Sequence, residues 1–89
     1  MKVILRPTKK FEADIKKLAP KKRENVIDAL AKFKRQPENR NLRFRGFKGH
    51  PSHFLINSSK GDRILLLKRG EAEFDLVSVG THDEMERRW

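Results

Sequence analysis

Apolar residues along this chain follow two different periods, and the switch between them divides it. Val3 and Leu5 alternate with Ile4 across Lys2–Arg6, and Pro7 then closes what reads as a short first strand. Thr8 is a good helix N-cap. Phe11, Ile15 and Leu18 follow at i, i+4 and i+7, one apolar stripe on a first helix that Ala19-Pro20 ends. A second helix starts near Pro20 or Lys21 and runs to about Gln36, with Val26, Ala29, Leu30 and Phe33 as its stripe and Ile27 beside it. Pro37 bars continuation, because a residue before proline avoids the helical region. Two amphipathic helices joined this closely predict a helical hairpin with one apolar side.

Beyond the polar loop at 37–41 the period becomes two. Leu42 and Phe44 fall on one side and Arg43 and Arg45 on the other, predicting a strand that ends in a bend where Gly46 and Gly49 bracket Phe47-Lys48. His53–Asn57 is a further short strand, Ser58-Ser59-Lys60-Gly61 has turn composition, and Asp62–Lys68 resumes as strand to give a hairpin. Arg69-Gly70-Glu71 is a second turn, with a last strand over Phe74–Val79. The order β-α-α-β-β-β predicts an α+β fold over residues 1–89 as one domain. In it a small antiparallel-rich sheet carries the helical hairpin on one face and leaves the other face and the edges open to a ligand.

Composition narrows the function classes. Eighty-nine residues, 36% of them hydrophobic, allow one modest core. There is no cysteine, hence no disulfide or thiolate chemistry, which fits a reducing compartment. The longest apolar run, Ile64–Leu67, is far short of the roughly 20 residues of a membrane span. The apolar stretch at the N-terminus is too short for a secretory signal, so a soluble, cytoplasmic protein without membrane contact is expected. Charge changes the picture most: 22 Lys and Arg stand against 12 Asp and Glu, net +10. Residues 1–50 carry net +11 and residues 51–89 net −1. Such a field favours a polyanion, above all nucleic acid, although solvated lysines also serve solubility.

The candidate chemistry lies in the last third. Gly61-Asp62-Arg63-Ile64 opens one strand and Val79-Gly80-Thr81-His82 closes another, so pairing them brings a guanidinium and an imidazole to neighbouring edges. RNA is cut without a metal when a base takes the 2′-OH proton, cations hold the phosphorane and an acid protonates the leaving 5′-oxygen. Histidine suits both proton roles. His82 is therefore a candidate base or acid, His53 or His50 the complementary group, Arg63 the phosphate clamp, and Arg43, Arg45 and Lys48 the holders of flanking phosphates. Each has a plainer reading. Arg63 would pair Asp62, Asp75 or Glu73, His82 would sit at a helix start, and Arg43 and Arg45 would form a solvated strand face. No metal or cofactor is expected: His50 and His53 lack a helix, and no paired carboxylates other than Asp83 and Glu84 lie beside His82.

The order of these elements resembles the RelE/ParE toxin superfamily of type II toxin–antitoxin pairs over nearly the whole chain. The resemblance runs through Phe11-x-x-Asp14-Ile15-x-x-Leu18, the helix ending at Pro37 and Asn41-Leu42-Arg43. It continues in Phe47-Lys48-Gly49, Gly61-Asp62-Arg63 and Val79-Gly80-Thr81-His82-Asp83-Glu84. It implies a small sheet with helices on one side and a cognate antitoxin as partner. In the RelE and YafQ branches it implies a metal-independent, ribosome-dependent mRNA endonuclease, an mRNA interferase that needs no cofactor and acts on ribosome-bound mRNA. In the ParE branch it implies inhibition of DNA gyrase by contact. It places a phosphate-binding arginine at Arg63, a catalytic histidine at His82 and a second histidine near His53. The two strand lysines of RelE-like members would fall on Phe54 and Ile56. Their base-stacking aromatic would fall near Glu86, with Trp89 as a substitute.

Overall fold

A computed structural model describes residues 2–89. Strand β1 (Ile4–Pro7) leads to helices α1 (Lys9–Lys17) and α2 (Pro20–Arg35), then a 3-10 turn at Arg40–Leu42. Strands β2 (Arg45–Gly46), β3 (His53–Asn57), β4 (Asp62–Gly70) and β5 (Glu73–Thr81) follow, and helix α3 (His82–Arg88) closes the chain. The strands form one sheet in the order β1-β5-β4-β3-β2. β1 runs parallel to β5 and every other pair is antiparallel. The antiparallel-rich α+β architecture expected from the sequence is thus what the chain forms.

Thr8 caps α1 as its residue type demands, its side chain accepting from the Phe11 N–H. Phe11 from α1 and Val26, Ala29 and Phe33 from α2 pack on Ile56, Ile64, Leu66, Phe74 and Leu76 of the sheet. Phe33 and Ile64 are wholly buried. Ile27, beside the stripe, is 60% exposed because it points off the packed side of α2. One charged group sits under this layer. Asp14 of α1 accepts from the Ser78 hydroxyl at 2.7 Å, the Val79 N–H at 3.2 Å and Lys10 Nζ at 3.2 Å, riveting α1 to β5. Burial pushes its pKa up, but these bonds and the Lys10 charge outweigh burial and hold the carboxyl below its ordinary value.

Three sequence expectations are corrected. The strand expected from Leu42 begins only at Arg45, since 40–42 form a 3-10 turn and Arg43 is left-handed at φ 52°. As expected, β1 ends at Pro7, which still pairs with Leu76, since an edge strand tolerates the missing N–H. The β4–β5 turn is Glu71-Ala72, two residues, with Gly70 still in the strand. The chain also ends in a helix absent from the expected order. Thr81 Oγ1 accepts from the Glu84 N–H and Glu84 Oε1 from the Thr81 N–H, a reciprocal capping box that starts α3. Gly80 makes room for it: a Cβ there would meet Glu84 Oε1 at 3.0 Å.

Candidate functional site

The face of the sheet away from α1 and α2 follows from register. Directly paired residues of antiparallel strands share a face, so Asn57 with Arg63, Leu55 with Leu65, and His53 with Leu67 lie together, and Arg45 joins Leu55 from β2. Met85 of α3 packs on this face against Leu55 and Leu65, with Phe47 and Val77 around it. The face expected to be open is therefore half covered, and what remains uncovered has two ends.

One end is cationic. Arg45 donates from Nη1 to the Arg43 carbonyl at 2.6 Å and to Asn57 Oδ1 at 3.2 Å. Arg63 donates from Nη1 to the carbonyls of Lys60 and Asp62, both at 3.1 Å, while its Nε is buried with no partner. None of the carboxylates proposed for Arg63 pairs with it. Asp62 accepts from Lys22 and Ser59, Asp75 from Arg69, and Glu73 from Arg6. Among the described residues Arg43, Arg45 and Arg63 form no ion pair, and the guanidiniums feel one another. Burial, then the Arg63 and Arg43 charges, lowers the Arg45 pKa. Clustered guanidiniums with no counter-charge suit an anion, and a guanidinium fork matches phosphate oxygens.

His82 belongs to this end. Arg63 pairs with Gly80 across the β4–β5 ladder, and two residues on the His82 N–H donates to the Gly61 carbonyl at 2.9 Å. The start of α3 is thereby pinned to the turn that opens β4. The His82 side chain is half exposed, with Nε2 3.3 Å from Glu86 Oε1 one turn on.

The other end is aromatic. The His50 ring stacks on Phe47 at 4.6 Å between centroids and meets His53 edge-on at 6.0 Å. His53 Nδ1 lies 2.9 Å from the Pro51 carbonyl, which fits Nδ1–H as donor and leaves Nε2 free to accept. Lys48 is exposed in the turn beside them, where Gly49 takes φ 85°. His53 pairs with Leu67 and Asn57 with Arg63, four residues apart on each strand. That is about 13 Å along the sheet.

The sequence-predicted residues thus divide. Arg43, Arg45, Arg63 and His82 gather at one end, and Lys48, His50 and His53 at the other. Phe54 and Ile56, where the resemblance would set two lysines, face the helices instead, packed into the core. Two residues of the site were missed. Asn57, which fixes Arg45, was legible from the alternation of His53–Asn57. Glu86 would have been found as the i+4 partner of His82 had α3 been recognised. Among the described residues no group of three His, Asp or Glu side chains could hold a metal ion, and no helix is long and apolar enough to cross a membrane.

Neither a protein-family model nor a curated protein sequence matches the chain. Solved structures do. A mutant of the E. coli toxin RelE in the free state superposes with a TM-score of 0.72 at 22% identity, over 97% of this chain and 90% of that one. The E. coli DinJ–YafQ toxin–antitoxin complex gives 0.74 at 11% identity, over 96% and 98%. A YoeB/ParE toxin from Agrobacterium tumefaciens gives 0.71 at 14% identity, over 90% and 99%. The chain has the fold of the RelE/ParE toxins.

Proposed function

We propose that this protein is the toxin of a toxin–antitoxin pair and acts as a ribosome-dependent mRNA endonuclease. The observation that carries the reading is the cationic end of the sheet, where Arg63 and Arg45 lie close together without a counter-charge among the described residues, next to the start of α3. In this mechanism the scissile phosphate lies against Arg63 and Arg45. Their charges stabilise the phosphorane formed when the 2′-oxygen attacks. His82 moves one of the two protons, either taking that of the 2′-OH or giving one to the 5′-oxygen, with Glu86 orienting the ring. His53 and His50 stand too far along the strand for the second transfer, which falls to water or to a group on the ribosome. Chain scission through a 2′,3′-cyclic phosphate needs no cofactor. The work is done where ribosomes are, in the cytoplasm.

The neighbours also include complexes of RelE-type toxins with their antitoxins. A cognate antitoxin is proposed for this chain too, with exposed Ile27 and Ile4 as apolar footholds.

The separation of the histidines favours one second reading, a ParE-like inhibitor that binds gyrase or another target and cuts nothing. Expression of wild type, Arg63→Ala and His82→Ala separates the two. An interferase shortens a translated reporter mRNA and both variants leave it full length, while purified protein leaves gyrase supercoiling unaffected. Intact mRNA alongside blocked supercoiling selects the contact inhibitor.

A further inference from the structure

A groove of about 360 Å³ runs along the edge of the cationic end, between α2, the 3-10 turn and the β3–β4 turn. That size accommodates a small ligand. Most of its lining residues are polar, including Asn25, Asp28, Asn41, Asn57, Ser58 and Lys60, with Ala29 and Leu42 beside them. Little of this capacity is spent inside the protein. Asp28 forms no ion pair among the described residues, the Asn25 and Asn41 side chains make no hydrogen bond there, and Ser58 Oγ is buried without a partner.

Two lining residues join the groove to the phosphate clamp. The Lys60 carbonyl receives Arg63 Nη1, and Asn57 Oδ1 receives Arg45 Nη1. A guanidinium only donates, so the oxygen of Asn57 faces Arg45 and its NH₂ remains as a fixed donor. Across the groove Asp28 supplies an acceptor. Donor and acceptor side chains beside a phosphate site match the mixed donor–acceptor edge of an unpaired nucleobase. We infer that this groove takes the base of a nucleotide adjoining the clamped phosphate, and that Asp28, Asn41 and Ser58 set which base is preferred. The inference rests on the endonuclease reading.

Asp28→Ala and Asn41→Ala test it, since both positions are exposed and neither side chain supports the fold or the clamp. Cut sites are mapped across many transcripts in a reconstituted translation system. In parallel, amide chemical shifts are followed on adding a 2′-O-methyl RNA that cannot be cleaved. Wild type should discriminate between bases at one position next to the cut. In each variant that discrimination should fall at least about five-fold. The RNA should shift the amides of residues 41, 58 and 60. Unchanged discrimination, or amides at 41 and 58 that stay still while those of Arg45 and Arg63 move, overturns the groove assignment and leaves the endonuclease reading standing. A folded wild type that cuts no transcript overturns both.

Discussion

Arg63 is held by one terminal nitrogen on two carbonyls while its buried Nε has nothing to donate to. Leaving a buried donor unpaired costs about 1–3 kcal/mol. Arg63→Ala should lower mRNA cleavage by about 10²–10³-fold without loss of fold, and Arg63→Lys should rescue little, because a lysine has no fork to offer both the carbonyls and a phosphate. Single-turnover rates with a circular-dichroism control check this. Asp14 is the converse case, a buried charge fully satisfied. Its folded pKa lies below its ordinary value, so its contribution to stability is complete above that value and lost as pH falls through the folded one. Asp14→Ala should lower the unfolding free energy by about 2 kcal/mol at neutral pH and flatten the acid limb of stability below about pH 4. Urea titrations across pH read this out, and an unchanged acid limb would show that the carboxylate is not the rivet described.

At the scale of elements, α3 stands on few anchors. Seven residues are too few to hold a helix alone, so the capping box and Met85 on Leu55 and Leu65 carry it. Thr81→Ala should cost about 1 kcal/mol. It should speed hydrogen exchange in α3 more than in β4, and reduce cleavage more than stability, because His82 rides on that helix. Equal loosening of both elements would contradict the assignment. The same helix marks where sequence patterns stop being informative. The helical hairpin, the β3–β4 hairpin and the Thr8 cap were legible because stripe, cap and turn chemistry agreed with one another. α3 was legible only as the helix start in the plainer reading of His82, since one buried Met85 among charged residues leaves no period to find, although Thr81 and Glu84 carried the capping signature. Arg43 and Arg45 alternate as a strand would, but a left-handed Arg43 after a 3-10 turn replaces that strand. Proximity of Arg63 and His82 was legible from strand pairing. The distance of His53 was not, because it depends on which residues of β3 and β4 face each other.

Over the whole molecule the excess charge lies in residues 1–50, so α1, α2 and the segment through Arg45 supply the long-range field and the sheet supplies the specific contacts. Binding to single-stranded RNA should weaken about 100-fold between about 50 and 200 mM salt if about five phosphates are neutralised. Exchanging lysines of α1 and α2 for glutamine should make the log–log salt slope shallower, whereas Lys68→Gln should not; filter binding at several salt concentrations measures both. Affinity of this kind says nothing about chemistry, and the central claim is chemical: Arg63 and His82 form one centre that cuts mRNA on the ribosome. Primer extension on a translated message in a reconstituted system tests it most directly, comparing wild type, Arg63→Ala and His82→Ala. Cuts within A-site codons that vanish in both folded variants are the predicted result. Cuts that persist in His82→Ala, or a toxic, folded wild type that leaves the message intact, would contradict it.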